Sequence, residues 1–163
     1  MLIKKIRKAD AFRFLLGVMP VARWMDSLMK IGTSELTLED VKTLSRSYMA
    51  IMAFLDAERH KNSGGFILLS GRRQNRHSIF EQIIVAWKFS YFLRALRKLS
   101  RKEYLIWKAY FIHRFSLLEI YREYIQRGER FNSNAESIAS RKIRRICEKL
   151  LDYLIAFEML RLR

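Results

Sequence analysis

The chain has 163 residues, with 32 Lys plus Arg against 16 Asp plus Glu, a formal net charge of +16 and a pI near 10.4. Half of it is hydrophobic and 13% aromatic, which excludes a disordered basic tail and leaves a chain of one domain or two small helical lobes that seeks a polyanion. One Pro and six Gly force few breaks, so the expected fold is all-α, and a many-stranded sheet rich in turns is disfavoured.

Positive charge before an apolar run, Met1 to Lys8 and then Ala11 to Val21, has the outline of a secretory leader. Arg13 interrupts the run and no small-residue cleavage pattern follows, so a first helix is expected instead, bending or ending near Pro20. Val21 to Ile31 continues with Val21, Trp24, Met25 and Leu28 at helical spacing, and Gly32 is placed to end it. Thr37-Leu-Glu-Asp40 is a hydroxyl cap with acids in the first turn. Val41, Leu44, Tyr48, Ile51, Met52 and Leu55 then predict one helix to about Arg59. Asn62-Ser-Gly-Gly65 reads as a flexible link, and Phe66 to Gly71 as a loop or one short strand.

Residues 72–102 hold nine Lys or Arg and a single acid, Glu81, so half of the excess charge lies in under a fifth of the chain. Arg72-Arg-Gln-Asn-Arg-His77 opens the stretch, and a helix through Ile83, Ile84, Trp87, Tyr91, Leu93 and Leu96 ends among cations that suit its dipole. Three Ser-x-x-Glu boxes follow: Ser100 with Glu103, Ser116 with Glu119 and Ser133 with Glu136. In such a box the hydroxyl accepts from the third helical amide while the carboxylate reaches back to the cap amide. The boxes predict helices at about 101–112, 117–126 and 134–160. The resulting division is an N-terminal helical region for a partner or self-association (1–71), a basic connecting segment and helix (72–99), and a three-helix module (100–163).

Three consecutive helices with a short second and a basic third have the layout of a helix-turn-helix, whose third helix presents its leading half to the major groove. Leu105, Ile106, Ala109, Ile112, Leu117, Ile120, Tyr121, Tyr124, Ile138, Ile143, Ile146 and Leu150 supply the expected core of that module. Ser137, Ser140, Arg141 and Arg144 fall at helical spacings early in the third helix and are the candidates for base contacts, Arg being the best reader of guanine. Arg72, Arg73, Arg76, Arg127, Arg130, Lys142, Arg145 and Lys149 are the candidates for phosphates.

Tyr104 to Phe111, Ser116-Leu-Leu-Glu-Ile120 and Glu136-Ser137 through Arg141-Lys-Ile-Arg-Arg-Ile146 to Lys149-Leu150 resemble region 4 of sigma-70-type factors. They also resemble phage late-gene activators of the autolysin-regulator (ArpU-like) type. The resemblance covers roughly residues 100–155. It implies a transcription regulator acting at promoters, phage or mobile-element encoded, whose module binds double-stranded DNA or touches RNA polymerase, since modules of this family contact both the DNA and the polymerase β flap. The chain departs from the family in its turn, where Gln126 to Ser133 is several residues longer than the usual Leu-Gly-Ile-Ser.

Other chemistry finds little support. His60, His77 and His113 are far apart, Cys147 is the lone cysteine, no glycine-rich phosphate loop is present and carboxylates sit mostly at caps. Neither an enzyme nor a cofactor or metal is expected. Cys147, beside Ile146 and Leu150, reads as a core thiol in a reducing, cytoplasmic compartment. No run approaches the roughly 18 apolar residues of a membrane span. The aromatic stripes read as core, with stacking on unpaired bases kept open at Phe89 to Arg97. Competing readings are a polymerase-binding inhibitor or antitermination factor, a basic RNA-binding protein using 72–102, a homo-oligomer formed through the N-terminal region, and a membrane-surface helix within residues 1–31.

Overall fold

Seven α-helices and no strand make up the regular structure of residues 21–63, 76–126 and 133–161, the parts described in the computed structural model. They are α1 (Val21–Met29), α2 (Leu38–Arg46), α3 (Tyr48–Ser63), α4 (Arg76–Lys98), α5 (Arg101–Trp107), α6 (Leu117–Ile120) and α7 (Ala135–Arg161). The fold is all-α, as composition requires. The expected first helix before Pro20, the Phe66 to Gly71 segment, Arg72, Arg73, Arg127 and Arg130 lie outside the described residues, as does the Arg76 side chain.

Local chemistry sets most helix ends. Thr37, Ser100 and Ser116 each sit in extended backbone and close a capping box with Asp40, Glu103 and Glu119. The cap amides of Thr37, Ser100 and Ser116 donate to the carboxylates at 2.9, 3.2 and 2.9 Å, and each box is worth about 1 kcal/mol. The third expected box does not form: α7 starts at Ala135, and the Asn134 carbonyl accepts the Ile138 amide at 2.9 Å, which moves the cap one residue beyond Ser133. Burial of Ala135 fixes that register, since the core rather than the hydroxyl decides which residue begins the helix.

Gly32 ends the first helical stretch in the left-handed region at φ +80°, a conformation an L side chain adopts only with strain. The Lys88 ammonium lies over this end, donating to the carbonyls of Ile31 and, at 3.5 Å, Met29. A cation from α4 therefore satisfies acceptors that the closing turn of α1 leaves open.

The single helix expected from Leu38 to Arg59 is two. Ser47 leaves helical geometry at φ −95°, ψ 4°, although its amide still makes the i→i−4 bond to the Thr43 carbonyl at 3.0 Å. The break is tertiary in origin: it carries Tyr48 against Phe89 (ring centroids 5.7 Å) and Trp107 (5.4 Å, edge to face). α3 continues to Ser63, past the expected end.

α5 and α6 both finish in a widened π turn, Lys108–Ile112 and Tyr121–Ile125. After the first, Arg114 takes a left-handed conformation (φ 58°) and the Phe115 amide reaches the Ala109 carbonyl at 3.0 Å, which reverses the chain into α6. Gly or Asn usually occupies such a position.

The described parts of all three sequence segments share one apolar cluster. It includes Trp24, Leu28, Val41, Leu44 and Ile51 from the first, Val85, Phe89 and Phe92 from the second, and Ile106, Trp107, Ile120, Ile146 and Leu150 from the third. Trp107 is its centre, ringed by Tyr48, Phe92, Tyr104 and Phe111, and its indole N–H donates to Ser45 Oγ at 3.0 Å. Ser45 in turn donates to the Val41 carbonyl, so this buried polar pair is fully partnered. Leu105, expected in the core, is exposed: Ile106 and Trp107, the next positions on the helix, face inward in its place.

Candidate nucleic-acid interface

α7 divides cleanly by side. Ala135, Ala139, Ile143, Ile146, Cys147, Leu150 and Leu154 recur at three- and four-residue intervals and are buried against α2, α4, α5 and α6. The complementary face carries Ser137, Ser140, Arg141 and Arg144, all exposed, so the four expected base-contact residues are brought together on the leading turns of the third helix. Arg141 donates to Ser137 Oγ at 3.5 Å, and Arg144 pairs with Glu148 at 3.1 Å, an exposed i,i+4 pair worth a few tenths of a kcal/mol.

Of the expected phosphate contacts that are described, Arg145 is exposed and Lys142 half-buried on the same helix. They meet Lys102, from the first turn of α5, around a hollow of about 230 Å³ whose apolar wall is Ile125 and Ile138. With Arg141 the hollow has four cations and no acid among the described residues of its lining. Such a concentration of positive charge attracts an anion strongly at low salt.

Lys149 is placed differently from the others. Its ammonium lies 2.8 Å from a carboxylate oxygen of Glu103, which is only 8% exposed and also closes the α5 capping box. Burial alone would raise the Glu103 carboxyl, but hydrogen bonds from Lys149 and Ser100 outweigh it and hold it below its usual value; the same bond raises Lys149. Lys149 thus ties α7 to α5.

Sequence reasoning missed a second cationic hollow on the other flank of α7. Lys42 and Arg46 of α2 come up beside Ser140 and Arg144, enclosing about 210 Å³ with Tyr110, Phe111 and Leu117 beneath. Nothing local distinguishes these two side chains from an ordinary solvent face of α2, since only the packing of α2 on α7 brings them there.

Base stacking over Phe89 to Arg97 is corrected in part. Phe89 and Phe92 are buried in the core, whereas the neighbouring Trp87 (41% exposed) and Arg94 and Arg97 are exposed on α4, with Tyr91 half-buried beside them. Trp87 meets Tyr91 edge to face at 5.6 Å, and the Arg94 guanidinium sits 5.6 Å from the centre of the Tyr91 ring.

Cys147 is a core thiol, buried and pushed up to about 11 chiefly by that burial. Among the described residues no three His, Cys, Asp or Glu side chains converge as metal ligands, and no helix is long and apolar enough to cross a membrane. Comparison with protein-family models, curated proteins and solved structures returned no match to this chain.

Proposed function

We propose that the chain is a DNA-binding transcription regulator of helix-turn-helix type, with α5, α6 and α7 as the three helices of the module and α7 as the helix that enters the major groove. The observation that carries this reading is the exposed face of Ser137, Ser140, Arg141 and Arg144 on the first turns of a helix anchored from behind by two shorter ones. Arg141 and Arg144 are the base readers and the two serines adjustable donors or acceptors. Arg145, Lys142 and Lys102 hold the backbone. The likeness of residues 100–155 to sigma region 4 and to phage late-gene activators supports a site of action at promoters alongside RNA polymerase, in a bacterial or phage cytoplasm.

Selection of bound duplexes from a random pool, followed by footprinting, tests the proposal. A recovered motif protected over one or two groove-widths supports it, whereas recovery of unrelated sequences removes base readout.

A second reading has one observation in its favour: Trp87, Tyr91 and Arg94 form a surface of aromatic rings and a cation on α4, the kind of platform on which unpaired bases stack. Competition between duplex DNA and single-stranded RNA of equal length separates the two. Preference for the single strand, lost in Trp87→Ala, favours RNA.

A further inference from the structure

The two cationic hollows lie on opposite flanks of one helix. Ser140, Ile143 and Arg144 line the first, while Ile138, Arg141, Lys142 and Arg145 line the second. At 3.6 residues per turn these stripes are separated by roughly 160° around the axis, with Ser137 on the ridge between them. An α-helix about 10–12 Å across fills a major groove about 12 Å wide, so a helix lying in that groove has a phosphate strand on each side. Flanking cations on both sides of a reading face are therefore what a duplex requires. A one-sided patch would serve any polyanion.

From this we infer that α2, outside the helix-turn-helix itself, completes the duplex-binding surface: Lys42 and Arg46 hold phosphates of one strand, and Lys102, Lys142 and Arg145 hold those of the other. The inference rests on the duplex-binding reading above and extends it to a specific pair of residues in the N-terminal region.

The first flank is built from two elements that the core holds together. α2 is fixed to the module by the Trp107 to Ser45 hydrogen bond and by burial of Val41 and Leu44, so Lys42 and Arg46 are presented on a rigid support. The Arg46 carbonyl accepts the Arg114 guanidinium at 3.5 Å, which brings a further cation to the same edge from the left-handed turn before α6. Two acids face this flank, Glu39, paired with Lys42 at 3.2 Å, and Glu148, paired with Arg144. Both acids and Arg144 are exposed and Lys42 is half-buried, so both pairs sit at the surface and are held too weakly to compete with a phosphate. Glu39 and Glu148 rotate away as the strand arrives, and the duplex exchanges its counterions for these side chains.

The test is a salt titration of binding to a labelled random-sequence duplex of about 30 base pairs, over roughly 50 to 200 mM salt, where the electrostatic part of affinity dominates and no operator is needed. The full chain is compared with Lys42→Ala/Arg46→Ala, with Lys102→Ala/Arg145→Ala and with a charge-matched control, Arg97→Ala/Lys98→Ala. The control lies at the other end of α7, where Tyr153 hydroxyl meets the Lys98 carbonyl. Removing one cation that holds a phosphate lowers the slope of log affinity against log salt by about 0.9. Both flank variants are expected to lower it by roughly 1 to 2, and the control to leave it unchanged. Lys42→Gln/Arg46→Gln keeps more of the side chains' length over the core and is expected to match the alanine pair, with melting curves confirming that both fold.

Should the Lys42 and Arg46 variants follow the control while Lys102 and Arg145 lower the slope, α2 takes no part: the inference fails and the duplex-binding reading survives. Absence of salt-dependent duplex binding by the unaltered chain overturns both.

Discussion

Replacing Glu103 by Gln removes one negative charge from the junction between α5 and α7 and little else. The carboxylate accepts the Ser100 amide at 3.2 Å and the Lys149 ammonium at 2.8 Å while only 8% of the residue is exposed. A hydrogen bond to a charged group contributes about 1.5–3 kcal/mol. Lys149 is half-exposed, so solvent screening reduces that, and the amide retains an acceptor for the cap. The expected loss is about 1–2 kcal/mol at neutral pH, or roughly 2 to 8 °C in Tm for a chain of this size. The pH dependence is the sharper signature. Glu103 is held below its usual value of 4.5, so its stabilisation is complete above that pH and is lost as pH falls through the lower folded value. The two proteins should therefore differ at pH 7 and converge in acid when unfolding is followed by circular dichroism against urea. Asp40, also held low by Ser27 and Thr37 against the opposing effect of burial, is present in both and cancels. A gap that stays constant from pH 7 into acid, or no gap at all, would refute the role given to this ion pair.

Three further outcomes follow from the packing. Cys147 should resist a thiol reagent at pH 8 in the folded protein and react fully in denaturant, and Cys147→Ser should lose about 1–3 kcal/mol because a hydroxyl is costlier than a thiol to bury in this apolar cluster. Trp107→Phe removes both indole volume and the bond to Ser45, so a loss of about 2–4 kcal/mol is expected by urea unfolding, with Ser45→Ala losing less, about 1 kcal/mol. Lys88→Met strips the cation from the carbonyl end of α1 and should lower stability by about 1 kcal/mol, read as an earlier loss of amide protection around Met29 to Gly32 than elsewhere.

Much of the architecture is legible in the sequence because its causes are local. Thr37, Ser100 and Ser116 each place a hydroxyl three residues before an acid, and that chemistry closes a helix start wherever the chain goes next. Gly32 ends α1 for the equally local reason that its backbone has no side chain to strain. The same rhythm that puts Ile143, Ile146 and Leu150 inside leaves Ser137, Arg141 and Arg144 outside, so the candidate reading face follows from periodicity alone. What is illegible depends on distant neighbours. The periodicity from Val41 to Leu55 runs straight through Ser47, where the helix breaks and Tyr48 is seated between Phe89 and Trp107. The Ser133–Glu136 spacing points to a cap at Ser133, yet α7 begins one residue later, with Ala135 buried. The π turns after Trp107 and Ile120 carry no sequence mark. Lys42, Arg46 and Lys88 read as surface cations, and their roles come from helices that are neighbours only in the fold.

The most direct measurement compares binding of a selected duplex with binding of the random pool, for the unaltered chain and for Arg141→Ala/Arg144→Ala. The double variant is expected to keep its helix content and much of its salt-dependent affinity while losing its preference for the selected sequence. A preference that survives both substitutions would contradict the assignment of α7 as the helix that reads DNA.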